Sequence, residues 1–211
     1  MTNVSLIKRV DPKHTALMVI DMQNDYCHEE GYLAKQGLDV SMVPKMIQPL
    51  KETIEEAEKN SVPVIYVRTV HQDSTDSETW TRRLKDKNQS GLCRKGTWGA
   101  SFFHLEPKKK DVVVTKHRYS AFIHTRLESV LRTYGVETIV LAGVSTNICV
   151  ESTARDGFML DYDVVMLSDC TGAFSQKEHD MAVENVDKYF GSVSASEDVI
   201  NAWKQKVAVS T

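Results

Sequence analysis

The stretch Ala16-Leu-Met-Val-Ile20, which is followed directly by Asp21, decides the fold of this chain. A short, uninterrupted apolar run of this kind is typical of a strand that is buried on both faces of a parallel sheet. Similar runs follow at 63–67, 111–115, 138–142 and 163–167. They are rich in β-branched residues, which favour strands, so each run is predicted to form one.

Segments with helical periodicity separate these runs. Apolar residues recur at intervals of three and four in 43–59, 125–134, 147–156 and 177–190. Gly135 and Gly157 follow two of these segments, at positions where a residue without Cβ commonly ends a helix in the left-handed conformation. The alternation predicts a three-layer α/β/α fold with a mostly parallel, doubly wound sheet.

The length and composition exclude several classes of protein. The 211 residues are expected to form a single domain over 1–211. They carry 26 Lys and Arg against 29 Asp and Glu, so no excess of positive charge is available to neutralise a nucleic-acid backbone. No window approaches the roughly 18 apolar residues of a membrane span, and no apolar signal region precedes the first strand. We therefore expect a cytoplasmic protein that binds neither nucleic acid nor a membrane.

Two regions need a separate interpretation. The least regular part of the chain, the excursion (residues 71–110), contains aromatic residues that we expect to be buried. The cysteines Cys27, Cys93, Cys149 and Cys170 lie far apart without C-x-x-C spacing. Neither a zinc knuckle nor a disulfide framework is therefore indicated, and each thiol has to be judged by its surroundings.

Three chemically reactive side chains follow the predicted strands. Asp21 ends the first strand, Lys116 directly follows the third, and Cys149 lies in the first turn after the fourth. In open α/β sheets, ligands bind outside the carboxyl ends of the strands. The sequence therefore predicts that an acid, a base and a thiol meet at one edge of the sheet.

These residue types indicate nucleophilic catalysis. A free thiol titrates near pH ~8.5 and reacts only as thiolate, which the unpaired N–H groups of a helix start and a nearby Lys116 would favour. Asp21 would take the thiol proton and return it to a departing nitrogen. Backbone N–H groups between Ser145 and Cys149 would stabilise the oxyanion. This combination predicts a thiol amidase that needs no cofactor. The spacing alone leaves an alternative open, in which Cys149 is a packing residue and Asp21 caps a turn.

Motifs around the same residues resemble a known family. They are Val19-Ile-Asp-Met-Gln-Asn-Asp-Tyr26, Thr115-Lys-His-Arg-Tyr-Ser-Ala-Phe122 and Ala142-Gly-Val-Ser-Thr-Asn-Ile-Cys-Val-Glu-Ser-Thr-Ala-Arg-Asp-Gly-Phe158. Across most of its length the chain is similar to the isochorismatase-like cysteine hydrolases, whose catalytic aspartate, lysine and cysteine fall on Asp21, Lys116 and Cys149. The resemblance also implies a cis peptide at Val144-Ser145, an oxyanion site made by the N–H groups of Ser145 and Cys149, and a homo-oligomer.

Within this family the nearest likeness is to the ureidoacrylate amidohydrolases, through stretches such as Lys95-Gly-Thr-Trp98 and Arg118-Tyr-Ser120. This likeness implies a C–N hydrolase acting on a small ureido or carbamoyl amide, with ureidoacrylate, biuret-like and N-carbamoyl substrates all open. The substrate contacts that it implies are Tyr119, Asn24, Gln89 and Trp80. The part of the excursion from His71 to Trp98 looks shorter and more divergent than in this subgroup, so the resemblance fails in the segment that should recognise the substrate.

Two departures from other family members narrow the range of reactions and metal sites that we expect. Cys149 argues against the vinyl-ether cleavage of true isochorismatases, which lack the cysteine. Nicotinamidases carry an Asp and two His as metal ligands, whereas only His71 follows the second strand here, so no metal is expected.

The alternative function is a non-catalytic member of the fold that binds a partner or senses oxidants through Cys149, with Cys27 as the resolving thiol.

Overall fold

The computed structural model describes residues 3–86 and 90–209. Its strands are β1 (Thr15–Ile20), β2 (Val64–Thr69), β3 (Val112–Lys116), β4 (Thr138–Val144), β5 (Asp163–Gly172) and β6 (Ser192–Ser194). They form one sheet in the order β3-β2-β1-β4-β5-β6, and every neighbouring pair is parallel. This arrangement confirms the predicted doubly wound sheet.

Helices connect the strands and flank the sheet. They are α1 (Asn3–Arg9), α2 (Asn24–Cys27), α3 (Tyr32–Lys35), α4 (Val43–Lys59), α5 (Glu78–Asp86), α6 (Leu127–Thr133), α7 (Glu151–Met159), α8 (Gln176–Asn185) and α9 (Ser196–Val209). Shorter turns are a 3₁₀ turn at Trp98–Ala100 and π turns at Thr146–Val150 and Val186–Phe190. Within the described ranges, none of these helices has the length and apolar character to cross a bilayer.

The two faces of the sheet bury separate apolar clusters. Along β1, Leu17 and Val19 pack into the cluster that includes α4 and α9, whereas Met18 and Ile20 pack into the cluster that includes α6 and α7. Successive side chains of a strand point to opposite faces, so an uninterrupted apolar run supplies both clusters at once. Helices therefore cover both faces, which confirms the three-layer α/β/α prediction.

Some elements are not visible in the periodicity. The strand β6 has only three residues, too few for a recognisable apolar run. Helices α1 and α9 are also additions, and they dock on each other. The indole Nε1 of Trp203 in α9 donates a hydrogen bond of 2.9 Å to the carbonyl of Val10, just after α1.

Two backbone bridges fix the excursion, the first to the body of the protein and the second within the excursion itself. Gln23 pairs with Phe102, and His71 pairs with Arg94. The prediction that its aromatic residues are buried is wrong for Trp98, which is 52% exposed.

The prediction that Gly157 ends a helix is also wrong. Helix α7 continues to Met159, and Asp161 takes the left-handed conformation with a φ of 65°. Gly157 instead allows the helix to pack closely on the sheet, because a Cβ there would lie 2.6 Å from Ile139 Cδ1. Gly135 does take the left-handed conformation predicted for it, with a φ of 62°.

Gly143 lets the two central strands approach each other. The strand order reverses between β1 and β4, so a crevice forms outside their carboxyl ends. At this point Gly143 pairs with Ile20 and has a φ of 117°. A Cβ at Gly143 would lie 2.0 Å from the Ile20 carbonyl oxygen. Any larger residue would push apart the strand ends that carry Asp21 and Cys149.

We expect Gly143→Ala to lower the free energy of unfolding by about 2–4 kcal/mol, since the added methyl meets a backbone carbonyl and the backbone conformation is unfavourable. Urea denaturation measures the loss. Gly135→Ala is the matched control, because it also has a positive φ but nothing lies within 4 Å of its Cβ position. The control should cost only about 1–2 kcal/mol. Equal losses in both variants would contradict the close approach of the strands.

Candidate active site

The structure brings Asp21, Lys116 and Cys149 together. Asp21 follows β1, Lys116 is the last residue of β3, and Cys149 lies in the π turn after β4. Lys116 Nζ is 2.7 Å from Asp21 Oδ2 and 3.4 Å from Cys149 Sγ. Asp21 and Lys116 are fully buried and Cys149 is 4% exposed, so their interactions are little screened by water.

Thr69 joins this group, and the sequence analysis missed it. Its hydroxyl donates to Asp21 Oδ1 at 2.9 Å and accepts from Lys116 Nζ at 2.8 Å. Because β2 lies between β1 and β3, its last residue falls between the aspartate and the lysine. The available signal was positional, since Thr69 is a polar residue two positions after an apolar run, near the place that Asp21 takes after its own run.

Gln23 holds this arrangement in place. Its fully buried side chain accepts a hydrogen bond from the Thr69 N–H at 2.7 Å and donates to the Thr69 carbonyl at 2.9 Å. It also donates to the Ala100 carbonyl at 2.8 Å, which ties the excursion to the site. Asp21 itself adopts a left-handed φ of 51°, a conformation that aspartate tolerates better than most residues.

Burial and pairing set the charges of the group. Burial alone would lower the pKa of Lys116, but the Asp21 carboxylate and Cys149 outweigh it and raise that pKa, so the lysine is an ammonium ion. Burial raises the pKa of the Cys149 thiol to about 12. Lys116 opposes this rise in the pKa of Cys149, whereas the negative charge of Asp21 adds to it. At rest Cys149 is therefore a thiol, so a base has to remove its proton before or during attack, the role that the sequence analysis expects of Asp21.

The backbone around Cys149 is fixed by side chains. The peptide bond between Val144 and Ser145 is cis, as the family resemblance implies. The Thr153 hydroxyl donates to the Cys149 carbonyl at 2.7 Å and accepts from the Ala121 N–H at 3.1 Å. The turn that carries Cys149 is thereby connected to the segment that follows Lys116.

A cavity of about 390 Å³ lies beside the thiol, and Cys149, Thr69 and Ser145 line it. Trp80 and Tyr119, both predicted as substrate contacts, also line it with their ring centroids 5.0 Å apart. Its other lining residues are Tyr26, Leu33, Gly37, Leu38, Asp39, His71, Arg83, Leu84, Leu92, Arg118, Ile148, Phe174 and Glu178. The reactive group therefore faces a small, mixed polar and apolar space.

Other predicted residues lie elsewhere. Asn24 is not among the lining residues, and its side-chain amide instead donates to the Trp98 carbonyl at 2.9 Å, which is a structural role. Gln89 lies outside the described residues. Cys27 is buried behind the site rather than lining the cavity, and burial raises the pKa of its thiol.

His71 is a wall residue of the cavity. It is buried, and burial lowers its pKa to about 4, so the imidazole is neutral near pH 7. The Trp80 Nε1–H donates to His71 Nδ1 at 3.3 Å. Among the residues that the structure describes, no three His, Cys, Asp or Glu side chains are arranged to hold a metal ion.

The doubly wound parallel sheet and the buried Asp–Lys–Cys group define an isochorismatase-like α/β protein. The chain belongs to the isochorismatase family, because the model of the Isochorismatase domain matches residues 15–198. A sequence relative, ureidoacrylate amidohydrolase RutB of Caulobacter segnis, is 38% identical over 207 residues. The match covers 90% of this chain and 85% of the relative.

Solved structures show the same similarity. A cysteine hydrolase from Pseudomonas syringae pv. phaseolicola 1448A superposes with a TM-score of 0.86 at 28% identity, over 93% of this chain and 95% of the other. The N-carbamoylsarcosine amidase from Thermoplasma acidophilum has a TM-score of 0.72 at 28% identity, over 87% of this chain and 97% of the other. The predicted family is thereby confirmed.

The electrostatic assignment can be tested by alkylation. We expect Asp21→Asn to make Cys149 react faster with iodoacetamide near neutral pH, because the variant loses a carboxylate that raises the pKa of the thiol and keeps the lysine that lowers it. Lys116→Met should slow the reaction, because this variant loses the cation that lowers the pKa of the thiol. Mass spectrometry of the Cys149 peptide measures both rates.

The wild-type rate provides the control. Only thiolate reacts, so the rate should still be rising at about pH 10. A wild-type profile with its midpoint near the ordinary thiol value of about 8.5 would contradict the buried, protonated thiol.

Proposed function

We propose that this protein is a cysteine-dependent amidohydrolase that cleaves a carbon–nitrogen bond in a small ureido or carbamoyl compound. The observation that carries the proposal is the contact of Lys116 Nζ with both the Asp21 carboxylate and Cys149 Sγ at the wall of a cavity. The names of the relatives, ureidoacrylate amidohydrolase and N-carbamoylsarcosine amidase, support hydrolysis of a non-peptide C–N bond.

The first half-reaction forms a thioester. As Cys149 Sγ attacks the substrate carbonyl carbon, its proton passes to the Asp21 carboxylate. The carbonyl π electrons move to oxygen, giving a tetrahedral oxyanion. When this collapses, the C–N bond breaks, Asp21 returns the proton to the nitrogen, and the amine or ammonia leaves.

The second half-reaction restores the thiol. Water attacks the thioester carbon while Asp21 accepts one of its protons. The C–S bond then breaks, and Asp21 returns the proton to sulfur. The acid product is released, and a carbamic acid product decomposes to carbon dioxide and ammonia.

Lys116 and the turn after β4 stabilise the charges of these steps. Lys116 remains an ammonium ion and compensates the negative charge that passes between Asp21 and Cys149. We expect the backbone N–H groups of Ser145 and Cys149 to bind the oxyanion, as such donors contribute a large share of acyl-transfer catalysis. Thr69 acts through Asp21 and Lys116 and is a positioning residue.

The cavity is suited to small substrates. Its volume of about 390 Å³ admits compounds of the size of ureidoacrylate, biuret or an N-carbamoyl amino acid. Trp80 and Tyr119 supply flat apolar surfaces, while Thr69 and Ser145 supply polar groups. Assembly of the protein into a homo-oligomer remains a prediction.

Cys149→Ala should abolish ammonia release from ureidoacrylate, biuret and N-carbamoyl amino acids, because no other nucleophile is available to form the thioester. A coupled ammonia assay measures turnover, and mass spectrometry of rapidly quenched wild-type enzyme should show an acyl adduct on Cys149. Cys170→Ala, which alters a buried thiol in β5 away from the cavity, is the control and should retain activity. Turnover that survives Cys149→Ala would disprove this mechanism.

Thr69→Val should reduce kcat by roughly 10- to 100-fold, the usual effect of removing a hydrogen bond to a charged group. The pH profile of kcat should also change, because the Thr69 hydroxyl bonds to both members of the buried Asp21–Lys116 pair. Thr69→Ser keeps the hydroxyl and should restore most of the activity. A Thr69→Val enzyme with the wild-type pH profile would show that the threonine only packs.

A further inference from the structure

Arg118 presents a positive charge to the cavity and is held there firmly. Its Nη1 donates to the carbonyls of Thr75 at 3.2 Å and His117 at 2.6 Å, and its Nη2 lies 3.5 Å from Ser77 Oγ. The guanidinium carbon also lies 4.9 Å from the ring centroid of Trp80. All of these partners are neutral, so they fix the position of the guanidinium without compensating its charge.

Two arginines elsewhere in the protein show the contrasting arrangement, in which the guanidinium is paired with acids. Arg94 forms ion pairs with Asp73 and Asp76, and Arg155 pairs with Glu151. In the part of the chain that the structure describes, no carboxylate is paired with Arg118. A fixed and unpaired guanidinium at a cavity wall is a binding site for an anion, because its fork of N–H donors matches a carboxylate.

Within residues 3–86 and 90–209, four charged residues line the cavity. Arg118 follows β3, and Arg83 lies in the connection between β2 and β3. Asp39 lines the cavity from the segment that leads into α4, and Glu178 lines it from the first turn of α8. The two arginines therefore come from neighbouring parts of the fold, and the two acids come from other elements.

The two acids and the two arginines differ in their hydrogen-bond partners and in their exposure to solvent. Asp39 accepts a hydrogen bond from the Ser41 N–H at 2.8 Å, and Glu178 accepts one from the Ser175 hydroxyl at 2.8 Å. Among the described residues, neither acid forms an ion pair with Arg83 or Arg118. Arg83 is exposed, whereas Arg118 is half-buried and held by four groups, so Arg118 is the cation placed to bind with a defined geometry.

We propose that Arg118 binds a carboxylate of the substrate, so that the protein acts on ureido or carbamoyl acids in preference to neutral amides. This inference rests on the proposed amidohydrolase function and defines its substrate class. The anion lies on the β3 side of the cavity, against Trp80, while the scissile carbonyl reaches Cys149. Asp39 and Glu178 line the same cavity from other elements and disfavour a carboxylate next to them.

The test compares 3-ureidoacrylate with its methyl ester, two substrates that differ in the negative charge. We expect kcat/KM to favour the acid by roughly 10- to 100-fold in the wild-type enzyme. Arg118→Gln should reduce this preference to within about threefold, and Arg118→Lys should keep part of it. Arg126→Gln removes one positive charge outside the cavity and is the matched control, which should keep the full preference.

Several results would overturn the proposal. These are equal use of acid and ester by the wild-type enzyme, an unchanged preference in Arg118→Gln, or a preference that only Arg83→Gln removes. In each case, continued ammonia release would leave the amidohydrolase function intact. Thermal unfolding of each variant shows whether a loss of activity reflects misfolding. If Arg118→Gln is misfolded, the preference of Arg118→Lys for the acid over the ester tests the proposal instead.

Binding to an inactive variant separates this proposal from the proposed function. Calorimetric titration of Cys149→Ala with the acid and the ester requires no turnover. Tighter binding of the acid that disappears in the Cys149→Ala, Arg118→Gln double variant would support the carboxylate site even if no hydrolysis were seen. Equal binding of the two compounds, or no measurable binding of the acid, would overturn it.

Discussion

Asp21 and Lys116 form an ion pair that is almost wholly removed from water. Removing one partner of such a pair leaves an uncompensated buried charge, which costs about 3–5 kcal/mol. The ends of β1, β2 and β3 meet at this pair, because Thr69 bonds to both of its members. The order of the strands in the sheet is what allows the pair to close, and Cys149 is positioned against it from β4.

The same pair determines how the thiol is used. Since burial keeps Cys149 protonated, the group at rest contains one anion, one cation and a neutral sulfur. In the mechanism proposed above, attack would move a proton from Cys149 to Asp21 within a site that has no net charge. This differs from a thiolate stabilised in advance at a helix start, and in that mechanism the aspartate, not the helix, would activate the thiol.

The sequence predicted the strands and the reactive residues correctly where the residue type and its position after a strand were enough to indicate the role. Apolar runs predicted the strands, and the polar residue after each run predicted Asp21 and Lys116. It was uninformative where the role depends on a neighbour distant in the chain. Gln23 and Thr69 are unremarkable in sequence and gain their roles because β2 lies beside β1. Gly157 resembled a helix end but faces Ile139, a contact that only tertiary packing reveals.

An all-parallel sheet also has a consequence for how the protein acquires its site. Parallel neighbours need crossover connections, so every strand pairing joins residues that are far apart in the chain. The reactive group itself spans the chain from Asp21 to Cys149. Contacts of such long range slow folding, because loop-closure entropy must be overcome before they form. During synthesis, the nucleophile therefore meets its acid and its lysine only after β4 has inserted beside β1, late in the growth of the chain.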